Sequence, residues 1–240
     1  MRLRIDLICT SNPVIDMNSS YHLASLFYRA LQRSNPHLSL ELHSTPGFKF
    51  FTFSKLMVEN REFVIEGDRM HLKNRNTHVF FSSPRNEIAA AVVSGLLEKP
   101  EISIGGAEFV LSGIKVMREK EIGEREKFVT LSPVSVTTVV EEGGKKKIWD
   151  LFPDEPRFYE NVRKNLVRKF RSLHGRDPED EELEIRVLNA KPKMIRIKDT
   201  YHRATEMVFE ASGSRELLEM GYKAGFGERN SMGFGMVKAL

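Results

Sequence analysis

From Arg2 to Cys9 the chain alternates polar and apolar positions with the period of a strand that buries one face. A different rhythm follows Ser19 and Ser20, either of which offers an N-cap. Leu23, Leu26, Phe27, Ala30 and Leu31 fall on one side of a helix that runs to about Ser34, where Asn35-Pro36 stops it. Tyr28 lies outside that apolar stripe. Strands are predicted at residues 48–53 and 78–81. A second helix covers 84–97 with Ile88, Ala91, Val92 and Leu96 inward, and strands return at 101–104 and 109–117. Strand, helix, strand, strand, helix, strand is the order of a ferredoxin-like domain.

Residues 120–127 are dense in charge and contain Gly123, so a boundary is expected there, dividing the chain into 1–122 and 123–240. In the second part a strand is predicted over 128–140 around Pro133, with a turn at Glu142-Gly143-Gly144-Lys145. A helix follows from Pro156 to about Leu173, ahead of Gly175. Strands at 183–188, 194–197 and 203–209, a helix from Ser214 to about Lys223 and a terminal strand complete the same order again. The expected fold is α+β, two tandem ferredoxin-like (RRM-like, βαββαβ) domains.

Composition narrows the class of function. A chain of 240 residues can form two domains of roughly 100 to 130 residues each. Cys9 is the single cysteine, which excludes internal disulfides and cysteine-based metal clusters and fits a reducing cytoplasm. The N-terminus is not patterned as a signal peptide, and no apolar run reaches the length of about 18 residues that suggests a membrane span. A soluble, cytoplasmic protein with no membrane partner is expected. The histidines form no H-E-x-x-H pair and no carboxylate cluster suggests a two-metal site, so neither a metal nor another cofactor is expected. Net charge is only +4, but the basic residues cluster. Arg186, Lys191, Lys193, Arg196, Lys198 and Arg203 lie in one stretch with Asp199 as its only acid, a candidate surface for phosphates.

The chain closes on a glycine-rich cassette: Gly221-Tyr222-Lys223-Ala224-Gly225-Phe226-Gly227, five further residues, then Gly233-Phe234-Gly235. Such spacing predicts a tight loop with exposed amides suited to an anion. It is not a nucleotide loop, because no Gly-Lys-Ser/Thr follows and Asn230 stands where G-x-G-x-x-G needs its third glycine. Two Gly-Phe-Gly triplets just before a terminal strand resemble the signature of the repeat-associated RNA-binding proteins of CRISPR systems, and within them the repeat-processing endoribonucleases. Val129-Thr130-Leu131-Ser132-Pro133, and Ala190-Lys191-Pro192-Lys193 followed by Ile195-Arg196-Ile197-Lys198, are similar to segments of archaeal members of that family.

The resemblance implies tandem ferredoxin-like domains and a catalytic set at Tyr28, His43 and Lys49, in the contexts Phe27-Tyr28-Arg29 and His43-Ser44-Thr45-Pro46-Gly47-Phe48-Lys49. The implied activity is metal-independent cleavage of repeat RNA within the CRISPR precursor transcript, leaving a 2′,3′-cyclic phosphate and a 5′-hydroxyl. In that scheme His43 is the general acid, since imidazole exchanges protons near neutrality. Tyr28 acts as base only if a cation such as Lys49 lowers its pKa, and otherwise orients the 2′-hydroxyl; Lys49 steadies the phosphate. Arg186, Lys191, Lys193, Arg196, Lys198, Gly225, Gly227, Arg229, Gly233 and Gly235 are the expected RNA contacts. The competing reading is a non-catalytic protein of the same family that holds repeat or guide RNA without cutting it. Hand-over of product to an effector complex and homodimerisation stay open as partner expectations. A general single-strand regulator of RRM type lacks an RNP-like aromatic string.

Overall fold

A computed structural model describes residues 1–44 and 46–240 of the chain; Thr45 lies outside the described residues. The chain divides into two compact units. The first comprises Met1–Glu119 together with Ser231–Gly233, and the second Lys120–Asn230 with Phe234–Leu240. The cassette, expected wholly within the second domain, therefore contributes its tip to the first unit.

The first unit runs β1 (Arg2–Cys9), β2 (Val14–Asp16), α1 (Ser20–Ser34), α2 (Pro36–Ser44), β3 (Thr52–Phe53), β4 (Met57–Val58), β5 (Phe63–Glu66), β6 (Arg69–Leu72), β7 (Asn76–Ser82), α3 (Asn86–Glu98), β8 (Glu101–Ile104) and β9 (Ala107–Met117). Its main sheet has the order β3-β7-β1-β9-β8, with β4 also on β7, and its pairings are antiparallel. β3, β7, β1 and β9 follow the ferredoxin-like arrangement. Of the two strands predicted at 101–104 and 109–117, the second, β9, takes the place beside β1, and β8 turns back at Gly105-Gly106 to pair on its outer edge. β2, β6 and β5 make a small separate sheet that the periodicity did not announce. Leu3, Ile5, Leu7 and Cys9 are buried from β1, and Leu23, Phe27 and Leu31 from α1; Leu26, expected inward, is only half-buried.

Two details of this unit set the site. Asn35-Pro36 ends α1 and also starts α2, because the Asn35 side chain accepts the Leu38 N–H at 3.0 Å and proline suits a first helical position. The segment expected to be a break is thus a helix carrying His43. Meanwhile α1 lies so close to α3 that a Cβ on Gly95 would stand 2.0 Å from the Ala30 carbonyl oxygen. Arg33 Nη1 donates to the Gly95 carbonyl at 2.7 Å and Ser34 Oγ to that of Ala91 at 2.6 Å, locking the pair.

The second unit runs β10 (Arg125–Thr130), β11 (Thr137–Glu142), β12 (Lys145–Asp150), α4 (Pro156–His174), β13 (Leu183–Ile197), β14 (Thr200–Gly213), α5 (Arg215–Ala224) and β15 (Val237–Ala239). Its sheet order, β13-β14-β10-β15, is that of a ferredoxin-like domain. The strand predicted over 128–140 is interrupted at Pro133, and its second half instead forms the β11–β12 hairpin. The strands predicted at 183–188 and 194–197 are one strand, bulged between Val187 and Asn189. β13 is the sheet edge, where Pro192 removes no hydrogen bond that a neighbour needs. Phe128, Phe209 and Phe226 fill the core, with Phe226 centred 5.4 Å from Phe128 and 5.2 Å from Phe209. Pro156 opens α4 and Gly175, at φ 66°, closes it in the left-handed conformation.

Candidate functional site

The structure brings Tyr28 and His43 together. Tyr28 projects from α1 beside the buried stripe, and the last turn of α2 presents His43, so that their ring centroids are 4.6 Å apart at 35°. Phe51 meets the Tyr28 ring edge-on at 5.5 Å and stacks in turn on Phe81 at 5.4 Å, which roots the pair in the core. His43 is exposed, Tyr28 half-buried. Burial pushes the Tyr28 phenol above its ordinary pKa, while a hydrogen bond with Ser231 pulls the other way. The balance is upward, since desolvation outweighs the hydrogen bond with Ser231, and a lowered value was the condition for Tyr28 to act as base.

Lys49 is half-buried in the stretch that leads into β3. Its neighbour Phe50 adopts φ 54°, a conformation that costs a bulky side chain energy. The Ser83 hydroxyl donates to the Phe50 carbonyl at 2.6 Å and holds the chain in that bend. The direction in which Lys49 leaves the backbone is therefore built in.

The expected RNA contacts divide into two groups. Arg186, Lys191, Lys193, Arg196 and Lys198 all lie along β13 or its turn into β14, and all but the half-buried Lys193 are exposed. Several meet acids: Arg186 donates to Glu210 at 2.7 Å and Lys193 stands 3.6 Å from Glu206, both across the hairpin, while Arg196 lies 3.7 Å from Asp199 in the turn and over the Tyr201 ring. The cassette residues behave differently. Gly225, Gly227, Gly233 and Gly235 are buried rather than exposed. The Gly225 N–H donates to Gly221 and the Gly235 N–H to Pro133, each within 2.9 Å, so these two amides are already used and do not await an anion. Gly235, at φ 76°, could not carry a Cβ, which would lie 2.0 Å from the Phe226 carbonyl oxygen. Arg229 is half-buried and donates to Ser135 Oγ at 2.9 Å. Nearby, burial and Arg229 lower the pKa of His202, against a smaller opposing pull from Asp150.

What holds the cassette is a residue the sequence reading passed over. Lys169 on α4 is 2 % exposed, and its ammonium donates to the Gly225 carbonyl at 2.6 Å and to that of Gly227 at 2.7 Å. Burial pushes its pKa down to about 7, with Glu228 pulling upward and Arg168 adding slightly to the fall. The signal was available, since Lys169 shares the apolar stripe of Val162, Leu166 and Phe170 at helical spacing. Ser231 was also missed, and no local pattern marks it. Among the described residues no group of three or more His, Cys, Asp or Glu side chains could hold a metal ion. No helix among them is long and apolar enough to cross a membrane.

Comparison with known proteins gives the family of the chain. Residues 14–115 match the family model described as CRISPR-associated protein Cas6, N-terminal, and residues 117–239 that described as CRISPR associated protein Cas6, C-terminal. The chain is 37% identical to CRISPR-associated endoribonuclease Cas6 1 of Methanocaldococcus jannaschii, covering 99% of this chain and 92% of that one. It is 42% identical to CRISPR-associated endoribonuclease Cas6 of Pyrococcus furiosus, covering 93% and 83%. A solved structure of an RAMP protein binding different RNA substrates superposes with a TM-score of 0.93 at 33% identity, over 100% of this chain and 99% of that one.

Proposed function

Because this chain belongs to the CRISPR-associated Cas6 family, we propose that it is an endoribonuclease that cuts CRISPR repeat RNA in the precursor transcript to release guide RNAs. The observation that carries the catalytic reading is the Tyr28–His43 pair at 4.6 Å. The reaction is attack of a ribose 2′-oxygen on the adjacent phosphorus with departure of the 5′-oxygen, leaving a 2′,3′-cyclic phosphate and a 5′-hydroxyl. His43 protonates the leaving 5′-oxygen. Tyr28, which burial keeps neutral, orients the 2′-hydroxyl rather than taking its proton, which passes to solvent water as the P–O bond forms. Lys49 steadies the charge that develops on the phosphate. These roles need no metal.

The exposed basic residues of β13 and its turn into β14, namely Arg186, Lys191, Arg196 and Lys198 with the half-buried Lys193, are the proposed phosphate contacts. Gly225, Gly227, Gly233 and Gly235 shape the loop, and Arg229 lies at its turn with φ 55°.

The test uses end-labelled repeat RNA and the same RNA lacking the 2′-hydroxyl at the cleavage site. Wild-type protein cuts the first, binds but does not cut the second, and is indifferent to EDTA. His43→Ala binds normally and cuts roughly 10² to 10⁴ times more slowly, the usual contribution of a general acid. Binding of both RNAs with cutting of neither would instead identify a non-catalytic binding protein, and a strict need for added metal would refute the metal-free scheme.

A further inference from the structure

The tip of the cassette, Ser231–Gly233, is part of the first unit, and packing fixes it there. Gly233 has φ 85°, and a Cβ on it would lie 2.6 Å from the Phe53 ring. Phe53 is centred 4.9 Å from Phe27, the residue before Tyr28 on α1. The Gly233 backbone thus rests on the aromatic cluster from which Tyr28 projects. Two residues earlier, Ser231 comes within hydrogen-bonding reach of the Tyr28 phenol. His43 and Phe51 pack against the phenol ring, so ring packing fixes its plane and Ser231 addresses its oxygen.

We propose that Ser231 is a positioning residue for the cleavage reaction, orienting the Tyr28 hydroxyl toward the RNA 2′-oxygen. This rests on the role assigned to Tyr28 above. A serine hydroxyl donates one hydrogen bond and accepts others. By donating to the phenol oxygen, Ser231 leaves the phenol O–H free to turn toward substrate and makes it a better donor. A methyl at position 231 fills much of the same space and offers none of this. The cassette would then serve the chemistry through its tip, even though its buried glycines present no array of amides to an anion.

The experiment compares Ser231→Ala, Ser231→Thr, Tyr28→Phe and the Ser231→Ala/Tyr28→Phe double variant in single-turnover cleavage with saturating enzyme, alongside RNA affinity. Ser231→Ala is expected to slow cleavage about tenfold, the worth of one hydrogen bond, with affinity unchanged and Ser231→Thr restoring the rate. In the Tyr28→Phe background the Ser231→Ala change has no further effect. Proteins labelled with ¹³C at the tyrosine ζ carbon supply a second readout: the Tyr28 phenol should titrate at higher pH in Ser231→Ala than in wild type. A slow Tyr28→Phe with a wild-type rate for Ser231→Ala overturns the positioning role alone. A wild-type rate for Tyr28→Phe overturns the assignment of Tyr28 and this inference with it. Equal slowing by Ser231→Ala in both backgrounds shows that Ser231 acts independently of Tyr28 and also overturns the inference.

Discussion

Replacing Lys169 by methionine should change how stability depends on pH. The ammonium is sealed in the second unit with two glycine carbonyls as acceptors, and burial lowers its pKa from 10.5 to about 7. Between those values the unfolded chain keeps a proton that the folded chain has released, so raising the pH favours folding. Below about pH 7 both states hold the proton, and the full cost of burying the charge is present. Each pH step across the window is worth about 1.4 kcal/mol, so between pH 7 and pH 10 wild type should gain about 4 kcal/mol relative to Lys169→Met. Methionine fills most of the stem's volume but leaves the Gly225 and Gly227 carbonyls without their donor, at about 1 to 3 kcal/mol each. That loss is independent of pH and offsets the variant's curve without tilting it. Urea unfolding of both proteins at pH 7, 8, 9 and 10, followed by circular dichroism, gives the difference directly, and other titrating groups cancel. A difference flat to within about 1 kcal/mol would mean that the two carbonyls keep Lys169 charged throughout, and the reasoning would fail.

Gly235→Ala forces a Cβ against the Phe226 carbonyl at a positive φ, and should cost at least about 2 kcal/mol, seen as a fall in melting temperature of about 4–8 °C. An unchanged melting temperature would show that the loop has room to relax. Combined replacement of Lys191, Arg196 and Lys198 by alanine should weaken RNA binding and reduce the salt slope by about 2, since each single-strand phosphate contact contributes about 0.7. Single-turnover cleavage at saturating protein should be unaffected. Arg186→Ala should matter less, because Glu210 already balances its charge at 2.7 Å. A larger salt effect from Arg186 than from Lys191 would reverse that order.

Much of the architecture was legible because two periods carry it. The alternation of β1, the stripe of α1, the Pro156 and Gly175 boundaries of α4 and the Ser214 cap of α5 are local signals, and the structure uses each where it falls. What local signals misread were residues with two meanings. Asn35-Pro36 reads as a stop, yet it is also a helix start, and only the spacing of Leu38 and Leu42 afterwards reveals α2. Pro192 falls between the strands predicted at 183–188 and 194–197, but an edge strand tolerates it, which becomes visible only when the sheet order is known. Ser19 stands at the head of α1 without making the side-chain cap expected of it. Within the site, the adjacency of Tyr28 and His43 followed from the family resemblance and not from periodicity. The cassette glycines were recognisable, but their exposure was misjudged, because burial depends on Lys169 and Pro133, far away in sequence. The Ser231–Tyr28 contact spans most of the chain and had no local trace.

The close approach of α3 to α1 at Gly95 has a consequence for how substitutions would sort in a selection. Tyr28 is carried on the helix whose position depends on position 95 having no side chain, since even a methyl group would collide with the Ala30 carbonyl. An alanine there would push or turn α1 by a fraction of a turn while the sheet beneath stayed paired. A screen that scored only cleavage would then flag position 95 beside 28 and 43, and one that scored only soluble yield would pass over it. Tolerance maps of such a protein should therefore be read in both channels, because a glycine with no chemistry can behave genetically as part of the proposed catalytic site.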